Sequence, residues 1–246
     1  MDFKILQSII KRELKSYFAT PIALIFLVVF LILSGFFTFK LGRFYEQEQA
    51  DLRAFFAWHP WLYLLIVPAI SMRLWAEERR SGTIELLLTL PVSIAEAMVG
   101  KFIAAWLFIA LSLVLTFPMI LTVSYLGEPD IGVIFAGYIG SFLMAGAFLG
   151  VGCAISALTS NQVISFVIST AILLSLILLG FEPVVNMLTD IFPAGFVNQI
   201  INLSFPYHFE AIQRGVVNLA DMAYFISVVF FSLASGMIII DRKKAD

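Results

Sequence analysis

The chain has 246 residues, 61% hydrophobic and 13% charged, with a net charge of −2. Soluble domains carry roughly 25% charged residues, so a mean hydropathy of +0.99 places this chain in a membrane with apolar sequence enough for several spans. Near-neutral charge offers nucleic acid no basic surface, and a single cysteine, Cys153, excludes an intrachain disulfide.

Residues 1–18 open the chain as an amphipathic helix. Phe3, Leu6, Ile10, Leu14 and Tyr17 fall at helical spacing, while Lys4, Lys11, Arg12 and Lys15 lie elsewhere on the wheel. Such a helix lies in a membrane interface, as an anchor alone or with a further role. The uncharged run 19–39 follows cations and precedes no small-residue cleavage site, so it reads as a retained span. Glu46, Glu48 and Asp51 make the next loop polar. A second span is expected over 54–72, denser from Trp61, and a third over 102–126.

Residues 131–181 carry no charge but are too many for one helix. The polar cluster Ser156, Thr159, Ser160, Asn161 and Gln162 divides them into two spans. Gly146-x-x-x-Gly150 permits close helix approach, within the subunit or between copies. Cys153, among small residues, reads as a packing residue. The segment 182–220 holds Pro193, Gly195, Asn198, Asn202 and Pro206. Unpaired backbone at those breaks disfavours a lipid-facing helix. Two short helices broken near Pro193-Gly195, re-entrant or lying on the membrane, are expected instead. The last span covers 222–240. A span needs about 20 apolar residues, giving six in a single membrane domain, 1–246.

Orientation follows from Lys and Arg. With the N-terminus inside, Lys4, Lys11, Arg12, Lys15, Arg73, Arg79, Arg80, Lys101, Arg242, Lys243 and Lys244 fall on the cytoplasmic side. Only Lys40, Arg43, Arg53 and Arg214 fall outside. Both termini are therefore expected in the cytoplasm.

The segment 77–93 is the most informative. Glu77-Glu78-Arg79-Arg80 ends an apolar run, Ser81-Gly82-Thr83 breaks it, and a leucine-rich helix follows, stopped by Pro91. A helix continuing past Trp75 would pair Arg73 with Glu77 and Glu77 with Arg80, each exposed pair contributing about 0.2–0.5 kcal/mol. Gly82 turns the chain, Ser81 or Thr83 can cap the new helix, and Glu85 suits its first turn. Ile84, Leu86, Leu87, Leu88 and Leu90 leave little polar face, so this helix needs cover on two sides. The second cover is either the rest of this subunit or a partner protein.

Catalytic motifs fail one by one. Glu77-Glu78 lacks the Arg that an intramembrane CAAX-type protease needs four residues on, where Gly82 stands. Leu233 precedes Ala234-Ser235-Gly236 where a rhomboid-type motif needs Gly. The histidines, His59 ahead of the dense apolar run from Trp61 and His208 in the broken segment, read as lying outside the dense spans, and two fall short of the three or four ligands of a metal site. Gly100-Lys101 lacks the Gly at 95 and the Ser or Thr at 102 of a phosphate loop, so ATP hydrolysis would have to come from another polypeptide.

Glu78-Arg79-x-Ser81-Gly82-Thr83-x-Glu85-x-Leu87-Leu88-x-x-Pro91 resembles the signature of type-2 ABC exporter permeases. The blocks 72–83, 11–18 and 158–162, with Phe209-Glu210-x-x-x-Arg214-Gly215-Val216, are similar to its gliding-motility-associated subfamily. The resemblance implies an all-α membrane protein of six transmembrane helices, with an interfacial N-terminal helix, a cytoplasmic coupling helix and a re-entrant segment. It implies a half-transporter in the bacterial cytoplasmic membrane, pairing with a second copy or a homologous permease, with or without an auxiliary membrane or periplasmic subunit. Each permease would dock a cytoplasmic ATPase that carries ATP and Mg, this chain binding no cofactor. Residues 77–83, Glu85, Leu87, Leu88, Pro91, Asn161 and Gln162 would couple to the ATPase. Pro193, Gly195 and Arg214 would belong to an outer gate. A self-contained channel or secondary transporter is the alternative, although such proteins place charges within their spans. The substrate is not legible.

Overall fold

A computed structural model describes residues 2–89 and 91–243, setting aside the side chains of Ile22, Leu86, Leu87 and Leu88. Leu90 and Lys244, both used in the sequence reading, lie outside the described residues. The order is α1 (Phe3–Ala19), α2 (Pro21–Phe36), a π turn (Phe37–Leu41), a 3-10 turn (Phe44–Gln47), α3 (Arg53–Phe56), α4 (His59–Ser71), α5 (Ala76–Ser81), α6 (Thr83–Thr89) and α7 (Ile94–Val114). There follow α8 (Phe117–Leu126), α9 (Ile131–Leu158), α10 (Gln162–Leu178), α11 (Glu182–Ile191), α12 (Ala194–Ile201), α13 (Phe205–Gln213) and α14 (Leu219–Arg242).

Local sequence fixes where these helices begin. Asp2, Asp130 and Asn161 cap α1, α9 and α10 by accepting bonds from first-turn N–H groups, and Ser93 with Glu96 forms a capping box on α7. Pro21, Pro60, Pro118, Pro183 and Pro206 all sit in first turns, where a missing N–H costs nothing. Pro68 is interior to α4. That helix ends one turn later.

Among the described residues, five segments are long and apolar enough to cross a membrane: Ala23–Leu41, Arg53–Ser81, Ile94–Leu126, Ile131–Leu158 and Leu219–Arg242. A sixth is the pair α10 and α11, bent by 71°. The third is longer than expected, because the capping box starts it at Ile94 rather than Phe102. Its 33 residues span about 50 Å, against a hydrocarbon core of about 30 Å.

The central element is α9, which touches α4, α5, α7, α10, α13 and α14. Its glycines make the approach possible. A Cβ on Gly146 would sit 2.7 Å from the Trp106 indole of α7, and one on Gly140 2.6 Å from Ile212 of α13. One on Gly150 would meet Val229 of α14 at 3.4 Å. The Gly146/Gly150 pair thus packs inside the subunit. Cys153 is fully buried, its Sγ 3.4 Å from Met98 Sδ.

The segment before the last span holds three short helices, not two. Breaks fall at Gly180-Phe181, Phe192-Pro193 and Asn202-Ser204, and Pro193 is the N-cap of α12 rather than an interruption within it. Of the three, α13 is the one seated in the core. Phe205 is fully buried, 4.7 Å from the Phe148 ring and stacked parallel to Phe225 at 6.3 Å.

His59 corrects a second expectation. It is fully buried in the first turn of α4, within a spanning segment. Its Nδ1 lies 2.7 Å from Ser141 Oγ, which lies 2.6 Å from the Tyr63 hydroxyl. With Pro60 in its first turn, α4 begins at His59, two residues before the dense apolar run, and the rings of Phe55 and Phe56 close over the imidazole.

Candidate functional site

The charged block ends the second spanning segment. After Ser71 the helix opens into turns over 72–75 and resumes as α5. A single hydroxyl bridges the gap. Ser156 Oγ on α9 accepts from the N–H groups of Trp75 and Ala76, both at 3.1 Å, and donates to Met72 O at 3.1 Å. It serves the last carbonyls of one helix and the first amides of the next, groups with no intrahelical partner. Replacing Ser156 by Ala is expected to cost about 1–3 kcal/mol by stranding buried N–H groups, read as a lowered unfolding midpoint in detergent. Unchanged stability would show that the gap holds itself.

Gly82 ends α5 at φ 74°, a left-handed backbone that suits glycine. The hydroxyls of Ser81 and Thr83 turn back onto α5 instead of capping α6. Ser81 donates to Glu77 O at 2.8 Å, and Thr83 donates to the Glu78 carboxylate. The expected Arg73–Glu77 and Glu77–Arg80 ion pairs do not form among the described residues. Glu78 is drawn across to Lys101 instead, leaving Glu77 and Arg80 exposed.

Lys101 organises the site. It is 3% exposed, on the first turns of α7, and its Nζ lies 2.8 Å from Glu78 Oε1 and 3.2 Å from Glu13 Oε1. Trp75 lies beneath the ammonium, its ring centre 5.7 Å away. Glu13 also holds Arg12 at 2.8 Å. One buried cation therefore joins α1, α5 and α7. Around it lies a cavity of about 270 Å³, lined by Tyr17, Arg73, Glu77 and Thr83 among others.

Contacts between α1 and α7 run in one direction. The Asp2 N–H donates to Glu96 at 2.5 Å, Leu6 and Ile9 cover Gly100, Glu13 meets Lys101, and Tyr17 stacks on Phe108 at 5.3 Å. The amphipathic helix thus seats Leu6, Ile9, Glu13 and Tyr17 along α7. Lys4, Lys11 and Lys15 stay exposed, and so does Phe3, which the sequence pattern had placed on the apolar face.

Beyond Gly82, α6 packs Ile84 against the core and exposes Glu85 and Thr89. The side chains of Leu87 and Leu88 lie outside the described ones. Pro91 falls in the bend before Ser93. Asn161 caps α10, and Gln162 is its first residue. This turn lies at the same end as the block, since α5 packs on α9 and α10.

At the other end of the chain's fold, Arg214 closes α13 and pairs with Glu210, both exposed. Pro193 and Gly195 begin α12 and are exposed, with nothing within 4 Å of a Cβ on Gly195. Among the described residues Arg214 forms its ion pair with Glu210 and no hydrogen bond with Pro193 or Gly195. The better-built polar contact is one the sequence did not signal. His208 Nδ1 lies 2.6 Å from Asp221 Oδ1, its Nε2 lies 2.9 Å from Asn202 O, and its ring stacks on Tyr224 at 4.0 Å. This ties α12, α13 and α14 together. The sequence placed Lys101 among the cytoplasmic cations and at the end of a failed phosphate loop, not in the coupling site. The available signal was a lone cation at the head of an apolar run, with Glu13 and Glu78 as possible counterions.

Fold and site define a multi-pass, all-helical membrane protein whose second spanning segment ends in an anchored, exposed short helix. The ABC-2 family transporter protein model matches residues 62–215, from within α4 through the charged block to the end of α13, and the chain belongs to that family. It is a transport membrane subunit rather than an enzyme, of a kind that works with a cytoplasmic ATPase in a bilayer. Comparison with curated proteins finds no match.

Proposed function

We propose that this chain is the permease subunit of an ATP-driven exporter in a bacterial cytoplasmic membrane, with both termini in the cytoplasm. Two such subunits, or this one and a homologous permease, pair, and each docks a separate ATPase that binds ATP and Mg. The observation that carries the reading is the Glu13–Lys101–Glu78 joint behind α6. It fastens α5 to α1 and α7, and Thr83 at the start of α6 bonds to Glu78 of the same joint, so a push on α6 passes through α5 to both. Glu77, Arg79 and Arg80 with Glu85 present charge to the ATPase, and the Asn161-Gln162 turn adds to the same surface. At the opposite end, α11 to α13 form the outer gate. An auxiliary subunit is compatible with this arrangement. The family match supports the type-2 ABC level, while the gliding-motility likeness rests on the sequence blocks alone.

Docking and coupling test this together. Glu85→Lys is expected to weaken capture of the ATPase or to uncouple hydrolysis from transport in a subunit that still inserts and folds. Leu87→Asp is expected to act more strongly, because a charge must then be desolvated at an apolar contact. Pull-down and transport-dependent ATPase activity are read on the same preparations. Full docking and full coupled activity in both variants would make α6 a passive loop and end this reading.

A further inference from the structure

We propose that the end of the bundle opposite the charged block binds the zwitterionic headgroup of an amphiphile, of the phosphoethanolamine type, between Trp58, Trp61 and the Arg43–Glu46 pair. A cavity of about 580 Å³ lies there, lined also by Leu41 and Gln47. Its place follows from chain direction. The start of α2 is at Thr20, which lines the cavity around Lys101, so its far end is remote from the block. The start of α4 is at that far end, where Trp58 meets Phe37 at 5.3 Å, and it runs toward Met72 and the block. Tryptophans at the end of a span mark the depth of lipid headgroups.

Three backbone irregularities converge on this cavity. The first span ends in a π turn over Phe37–Leu41, a rare form frequent at functional sites. Arg43 and Glu48, neither of them glycine, adopt left-handed conformations at φ 48° and 50°. Such residues persist only where surrounding structure holds them, and they cluster at ligand sites. Here Gln47 Nε2 donates to Gly42 O at 2.8 Å and ties the loop shut. Gly42 is itself confined, since a Cβ would lie 2.8 Å from Thr38 O.

Chemistry selects the ligand class. Arg43 and Glu46 lie 3.5 Å apart, with 73% and 70% of their side chains exposed, loose enough for a ligand to part them. The guanidinium suits a phosphate diester in a two-pronged bond. The carboxylate suits an ammonium, and the indole faces of Trp58 and Trp61, one helical turn apart, suit the same cation. A neutral sugar would leave the charged pair idle, and a purely anionic headgroup would face Glu46. Trp61 meets Phe181 at 6.4 Å, so the cavity adjoins the break between α10 and α11.

The test uses the full-length chain purified in detergent, without any ATPase, so its outcome is independent of the docking experiment. Short-chain phosphatidylethanolamine, short-chain phosphatidylglycerol and soluble glycerophosphoethanolamine are titrated while tryptophan fluorescence is read. Saturable binding of phosphatidylethanolamine is expected, with phosphatidylglycerol about tenfold weaker or more, as one lost charge-assisted contact implies. Arg43→Gln and Glu46→Gln should each weaken phosphatidylethanolamine about tenfold, and Trp58→Phe should reduce the signal. Both charge variants alter exposed side chains and leave the core intact. Equal affinity for the two lipids, or unaltered binding in both charge variants, would overturn the site. Glycerophosphoethanolamine binding as tightly as the lipid would overturn its assignment to an amphiphile.

Discussion

Replacing Lys101 by Met is expected to lower stability by about 2–3 kcal/mol and to break coupling between ATPase and permease. Removing one partner of a buried ion pair costs about 3–5 kcal/mol, because the other charge is stranded. Glu13 and Glu78 keep some contact with solvent, 15% and 21% of their side chains, so screening reduces the figure. A methionine keeps most of the stem's packing against Trp75, which isolates the charge. The triple variant Glu13→Gln, Lys101→Met, Glu78→Gln removes both stranded carboxylates and should recover most of the stability without recovering coupling. Thermal unfolding in detergent separates the two effects from ATPase assays. A single variant that melts with the wild type would show that the joint carries no energy.

Gly146→Ala is expected to destabilise the bundle by overpacking α9 against α7. Its Cβ would lie 2.7–2.9 Å from three atoms of the Trp106 indole. That ring cannot easily retreat. It stacks on Phe142 at 4.3 Å and 3°, and its Nε1 donates to Phe142 O at 2.9 Å. Overpacking of this kind costs about 1–3 kcal/mol. Trp106→Ala on its own should cost about 3–5 kcal/mol through the cavity it leaves. In the double variant the methyl enters that cavity, so the combined loss should be smaller than the two added. Gly35→Ala, with nothing within 4 Å of its Cβ, is the control. Strict additivity would place the Gly146 surface elsewhere, at a contact between copies.

The two variants also separate what sequence and tertiary structure each decide. Membrane residence, the run of apolar segments and the turn at Gly82 were read along the chain; the helix starts at Asp2, Ser93, Asp130 and Asn161 are equally local but were not read, and the third span was begun too late, at Phe102. Each follows from local chemistry: hydropathy over about 20 residues, a backbone open to glycine, or a side chain accepting from its own first turn. The charged block was legible as the end of a span, but its pairing was not. Sequence spacing joined Glu77 to Arg73 and Arg80, whereas the fold joined Lys101 to Glu78 and Glu13, 23 and 88 residues distant along the chain. A buried cation recruits the carboxylates that share its burial, whatever their spacing. The same holds for Ser156, which looked like a polar divider between spans and proved to bridge a helix break on α4. It holds for His59, counted outside the spans and closed in by Phe55 and Phe56, and for His208, which meets Asp221 across two helices. Periodicity reports one element's faces; which element covers each face depends on the packing around α9, where small residues let its neighbours approach and the remaining polar groups must find partners in the dry interior.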